Sequence, residues 1–234
     1  MFRTRTMCFF WIGLLLLCPL PGFGYSSNTG EYGQAQPPGP GIQRLLVKPQ
    51  QALNALVNQG IWPLLQPAIL ESYLNDLEGS APDWAALHDQ EGEEHGERLF
   101  SFNRARDAKR EGHAFLTQPI AFLWSGILSH YDMKRGGFTL AIGPEYTPTS
   151  WGIVRFKPMG IPDDMIALPS PSLRTQYRKA LDNKEKVEIA VLFIGRLVPD
   201  ESIMYAFSHE EPGVGMIMPV VQVERVQYFL KTSP

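Results

Sequence analysis

The spacing of apolar residues changes character near residue 113. Before it, apolar positions recur every three or four residues, the helical period. After it they come in short runs or alternate one by one, the period of strands. Two runs stand out. Ile189-Ala190-Val191-Leu192-Phe193-Ile194-Gly195-Arg196-Leu197 is β-branched at its start and carries Glu188 and Arg196 near its ends. Such a run reads as a strand buried on both faces in its middle. Ile120-Ala121-Phe122-Leu123-Trp124-Ser125-Gly126-Ile127-Leu128 repeats Ile, Ala, Leu, Gly and Leu in register. The two are expected to be paired central strands. Gly126 and Gly195 then mark places where a strand bends or a neighbouring side chain lies over the backbone.

The first run continues through His130-Tyr131-Asp132 to Gly136-Gly137, then Phe138, Leu140 and Ile142 alternate. This predicts a hairpin. A shorter strand is expected over 151–156. Ser172 is expected to cap a helix to Leu181, behind a proline-rich loop, and 198–213 reads as a polar connection. In the last strand, 216–230, Val221 and Val223 share one parity, and Val226, Tyr228 and Leu230 take the other. One parity switch near Glu224 and Arg225 predicts a β-bulge. Pro219 cannot donate to a ladder and marks an edge or a bulge.

Upstream, Pro49 opens one helix and Pro67 a second, with Ile69, Leu70, Tyr73, Leu74 and Leu77 at helical spacing before Gly79. A short helix follows Asp83. A basic one is expected over 97–110, with Leu99, Phe102 and Ala105 on one side and Arg98, Arg104, Arg106, Lys109 and Arg110 around the rest. The expected fold class is therefore α+β: a helical segment, 42–112, packed on a mostly antiparallel sheet, 113–234, curled into a barrel or sandwich.

Composition bears on class and location. Hydrophobic content of 44% and charged content of 19% fit a globular chain of 234 residues, and 20 prolines and 21 glycines suit a turn-rich β protein. Residues 1–24 read as a signal peptide. Arg3 and Arg5 precede a run from Cys8 to Leu17, too short to span a bilayer comfortably, and Gly22-Phe23-Gly24 offers small residues to a peptidase. Lipoprotein anchoring is disfavoured because bulky Leu17 precedes Cys18. Residues 25–41, rich in Pro, Gly, Ser and Gln, read as a flexible leader. The expected location is periplasmic or extracellular, with membrane contact only through the signal segment before cleavage. Both cysteines lie in that segment, so a chain cleaved after Gly24 has no disulfide, thiolate metal site or cysteine nucleophile. It keeps 19 basic against 24 acidic residues, a formal charge of −5, which argues against a general nucleic-acid binder.

Candidate chemistry is sparse. Neither a Gly-x-Ser-x-Gly elbow nor a Walker loop nor a His-Glu-x-x-His helix occurs. His209-Glu210-Glu211 and His130-Tyr131-Asp132 each place an imidazole beside carboxylates in a turn. If the two loops met, they would build a histidine base or a metal-dependent centre. Solvated turn residues are the plainer reading, with Asp132 bonding its own hairpin. Residues 88–97, with two histidines and five acidic residues, read as a solvated acidic loop rather than a cation site. Tyr131, Trp151 and Tyr228 are candidate aromatic contacts for a ligand, although core packing is the commoner fate of such rings. No cofactor or metal is called for. The leading expectation is an exported, non-enzymatic binding or interaction module of a bacterial envelope, with an unknown envelope protein or small ligand as partner. The alternatives are a secreted hydrolase or metal-dependent enzyme using the two histidine loops, and a structural component of an envelope assembly.

Overall fold

The computed structural model describes residues 39–46, 49–88, 93–208 and 213–231. The signal segment, most of the leader and the 209–212 loop lie outside them. The described residues are mostly β, with 40% strand and 31% helix, and their centre is a closed barrel of six strands. In chain order the elements are β1 (Ile42–Leu46), α1 (Pro49–Asn58), β2 (Trp62–Pro63), α2 (Pro67–Glu78), α3 (Trp84–His88) and α4 (Glu93–Arg110). Then come β3 (Ile120–Asp132), β4 (Gly137–Ile142), β5 (Thr147–Thr149), β6 (Gly152–Val154), β7 (Lys157–Met159) and β8 (Ile166–Leu168). The chain ends with α5 (Pro171–Asp182), β9 (Val187–Leu197), β10 (Ile203–Phe207) and β11 (Gly215–Leu230).

The staves run β1-β8-β4-β3-β9-β11, and β11 returns to β1. This corrects the expectation of a helical N-terminal half packed on a mostly antiparallel sheet. The N-terminal segment contributes a stave, β1, which lies parallel to β8 on one side and β11 on the other. It also contributes β2, parallel to β3. Helices therefore punctuate the strands rather than form a layer of their own. Parallel pairings also join β11 to β6 and to β7, so the sheet is mixed. Nothing local announces β1. Its five residues, Ile-Gln-Arg-Leu-Leu, bury only Leu45 well, and neither strand period nor turn signal flags them.

β3 and β9 are neighbours in the barrel wall, as the repeat requires, and they run antiparallel. Their register sets Gly126 opposite Ile189 and Gly195 opposite Ile120, so each copy's glycine faces the other copy's leading isoleucine. A Cβ at Gly126 would approach Val191 Cγ2 to 2.8 Å and Ile189 Cγ1 to 3.2 Å. At Gly195 it would run into the carbonyl oxygen of Gln222 on β11. That contact sits where the β9–β11 register shifts between Val223 and Arg225, at the bulge that the parity switch predicts.

One buried cluster takes a residue from every stave: Leu45, Ala167, Phe138, Phe122, Val191 and Tyr228. Phe122 and Phe193 face each other in register and stack at 5.3 Å between centroids, and Phe156 stacks on Phe122 at 4.3 Å. Side chains of opposite parity make a smaller outer cluster, Ala121, Leu192, Ile194 and Phe229, covered by Leu56 of α1 and by Ile61. Apolar faces on both sides explain why the two central runs are continuous rather than alternating.

Other boundaries move. Ser170 rather than Ser172 caps α5, because Pro171 fits the first helical position and the Ser170 hydroxyl accepts from Leu173 N–H. The polar connection 198–213 contains β10, which pairs with the Pro219 end of β11. α4 begins at Glu93, four residues earlier than expected, and so takes in part of the acidic stretch.

Candidate functional site

The β3–β4 hairpin carries His130, Tyr131 and Asp132 at its end. Asp132 accepts hydrogen bonds from the backbone N–H of Lys134 (2.8 Å) and Arg135 (3.1 Å), and Gly136 turns with φ +71°. The Arg135 N–H holds the Asp132 carboxyl below its ordinary value, against desolvation, with help from the Lys134 N–H and the charges of Arg135 and His130. The carboxylate is thus engaged by its own turn. His130 is exposed, and Thr139 bonds its backbone. His209, Glu210 and Glu211 lie outside the described residues. Gly213, the next described residue, lies near α3: a Cβ there would stand 3.8 Å from His88 Nε2.

The three aromatic candidates sit in different surroundings. Tyr131 packs on Phe138 at 5.0 Å, with the Arg178 guanidinium over its ring. Trp151 is buried, and its carbonyl accepts from Trp84 Nε1 at 2.6 Å. Tyr228 is fully buried and donates to Gly41 O at 2.5 Å, and burial raises its pKa. Tyr228 therefore fastens the approach to β1 onto β11.

The basic side of α4 is not all solvated. Arg110 and Glu78, the last residue of α2, are each 1% exposed and form a buried ion pair. Glu78 also accepts from Arg106 (2.9 Å), and Arg110 pairs with Asp107. Arg110 reaches across to β10, donating to Ser202 Oγ (2.9 Å) and Ile203 O (3.1 Å). Asn103 accepts from Tyr205 N–H (2.7 Å) and donates to Tyr205 O (2.9 Å). Its amide thereby imitates a neighbouring strand along the open side of β10, the side that otherwise invites another chain. Burial, then the Glu78 charge, raises the Tyr205 pKa, against the opposing pull of Arg106 and Arg110. The visible clue was the spacing of Arg106 and Arg110, one helical turn apart on one face.

A second polar group lies on the outer face of the barrel wall, where β9 begins and β11 ends. Ser125 projects outward from β3, opposite Ala190, and Ile127 stands opposite Glu188. The Ser125 hydroxyl donates to Glu145 Oε1 (2.5 Å) and accepts from Lys231 Nζ (3.4 Å). Lys231 also reaches Glu188 Oε2 (3.5 Å), and Lys186 meets Glu188 Oε1 at 2.6 Å. The two ammoniums lower the Glu188 pKa, Lys186 the more strongly. Beside this chain of charges is a cleft of about 400 Å³ whose wall includes Gly126, Ala141, Ile142 and Gly143. On its other side a groove of about 610 Å³ runs to α5, past Gln176, Lys179 and Asn183. Serine between lysine and carboxylate resembles a nucleophile and its base. A lysine base needs desolvation, however, and Lys231 is half exposed with a carboxylate beside it. The arrangement suits ion recognition better than proton abstraction. Sequence reading passed over it because its members come from four separate segments.

Among the described residues, no group of three or more His, Cys, Asp or Glu side chains is placed to hold a metal ion. None of the helices there is long and apolar enough to cross a membrane. The architecture defines a class: a closed, mixed six-stranded β-barrel with helices inserted between staves. No protein family, curated protein or solved structure matches the chain.

Proposed function

We propose that this chain is an exported, non-enzymatic binding module of a bacterial envelope. In this reading the barrel is the scaffold and the cleft beside Ser125 is the recognition surface. The observation that carries it is the pairing of an interior occupied by stacked rings with charged groups of both signs gathered at one outer cleft. Filled small barrels hold shape, and specificity falls to a few polar groups at their surface. The export part rests on the sequence of residues 1–24 alone. Asp132 serves its own turn, so the hydrolase alternative draws no support from the first hairpin.

Fractionation of producing cells tests the location: mature protein starting at Tyr25 in the periplasm or medium is the expected result. A chain retained in the cytoplasm with residues 1–24 intact would end the export reading. Turnover of a hydrolase substrate panel that vanishes in His130→Ala would end the non-enzymatic one.

A further inference from the structure

The cleft beside Ser125 has a charge arrangement that specifies a ligand class. Lys231 Nζ donates to Ser125 Oγ and to Glu188, and an ammonium has three protons, so one donor remains. Glu145 accepts the Ser125 hydroxyl with one oxygen, and its other oxygen has no protein partner among the described residues. A spare cationic donor and a spare anionic acceptor thus stand one hydroxyl apart on the rim. Glu188 differs, since both its oxygens are engaged, by Lys186 and Lys231. It holds the lysine in place.

The wall is equally informative. Ala141 and Gly143 present little or no side chain to the cleft. A Cβ at Gly143 would meet no atom within 4 Å, so the space there is open. Ile127, Ile142 and Pro144 give the same cleft an apolar flank. Two like charges on a ligand would leave one rim group facing repulsion, and a neutral ligand would leave both rim charges unanswered. A molecule carrying opposite charges on adjacent carbons satisfies both, and the flank takes a small aliphatic group.

We propose that the cleft binds a small zwitterion, an α-amino acid. Its carboxylate meets Lys231, its ammonium meets Glu145, and its side chain lies along Ile142 and Pro144. This deepens the binding-module reading and rests on it.

Calorimetric titration of the purified protein with alanine and leucine tests the idea, with propionate and ethylamine as single-charge controls. At least one zwitterion should saturate, and each control should bind at least about tenfold more weakly, the worth of one charge-assisted contact. Lys231→Met and Glu145→Gln should each weaken the zwitterion by about tenfold or more. Gly143→Val should block it while leaving every charge in place, and its thermal unfolding should match that of the parent. No saturable heat with any zwitterion overturns the proposal. So does propionate binding as tightly as alanine, which marks a plain anion site, or zwitterion binding unchanged in the three variants. Export of the same variants, measured in parallel, separates failure of the ligand class from failure of the location.

Discussion

Gly195 is the position where one added methyl group would do most damage. Its Cβ would collide with the Gln222 carbonyl, which is backbone and cannot swing aside. Gly195→Ala should therefore lower the unfolding free energy by about 1–3 kcal/mol, the usual cost of overpacking, as read from the urea midpoint. Gly143→Ala, with open space around it, should leave the midpoint unchanged. The two glycines look alike in the sequence except that one belongs to the repeated run. That much was legible: the repeat singled out Gly126 and Gly195 as places of close approach, and the neighbours supply it, Val191 and Ile189 side chains at Gly126 and the Gln222 backbone at Gly195. Ser125 belongs to the same run, and nothing marked it, because its partners Glu145 and Lys231 are distant in sequence. A residue's packing can be read from its neighbours, but its chemistry depends on what the fold delivers to it.

At the scale of elements, α4 is held by groups that its own pattern of residues disguises. Its basic residues are spread around the helix opposite Leu99, Phe102 and Ala105, yet Arg110 is buried against Glu78 and reaches β10. Removing the Glu78 charge leaves the buried Arg110 with Asp107 as its remaining carboxylate and takes the carboxylate from Arg106. Glu78→Gln should cost about 3–5 kcal/mol in chemical denaturation, while a paired Glu78→Leu, Arg110→Met replacement should recover much of it. The cap of α5 offers a smaller comparison. Ser170→Ala should cost about 0.5–1 kcal/mol and Ser172→Ala less, measured the same way. Helices α1 to α5 were largely legible because proline starts and apolar periodicity are local signals. β1 was not, because a five-residue stave is defined by the two strands that flank it, one about 120 and one about 185 residues further along the chain, and not by its own side chains.

For the molecule as a whole, the buried tyrosines report on integrity. Burial raises the pKa of Tyr73, Tyr205 and Tyr228 well above the ordinary 10.0. A raised native value means that the folded state holds its phenolic proton more tightly than the unfolded chain. The stability this gives is present in full below pH 10 and declines as pH climbs from there toward the native values. A spectrophotometric titration should accordingly show part of the eight tyrosines ionising near their normal pH and the rest only together with loss of folded structure. Early, gradual ionisation of all eight would contradict the packing described here. The ring of staves has a further consequence for assembly. β1 enters early in the chain and is gripped on one side by β11, the last strand, so synthesis up to residue 214 leaves the first stave with a vacant flank and Tyr228 not yet made to reach Gly41. Folding must wait for the final segment, and contacts so distant along the sequence form slowly. A polypeptide built this way stays open while it is being made, which is the condition a threading translocase requires.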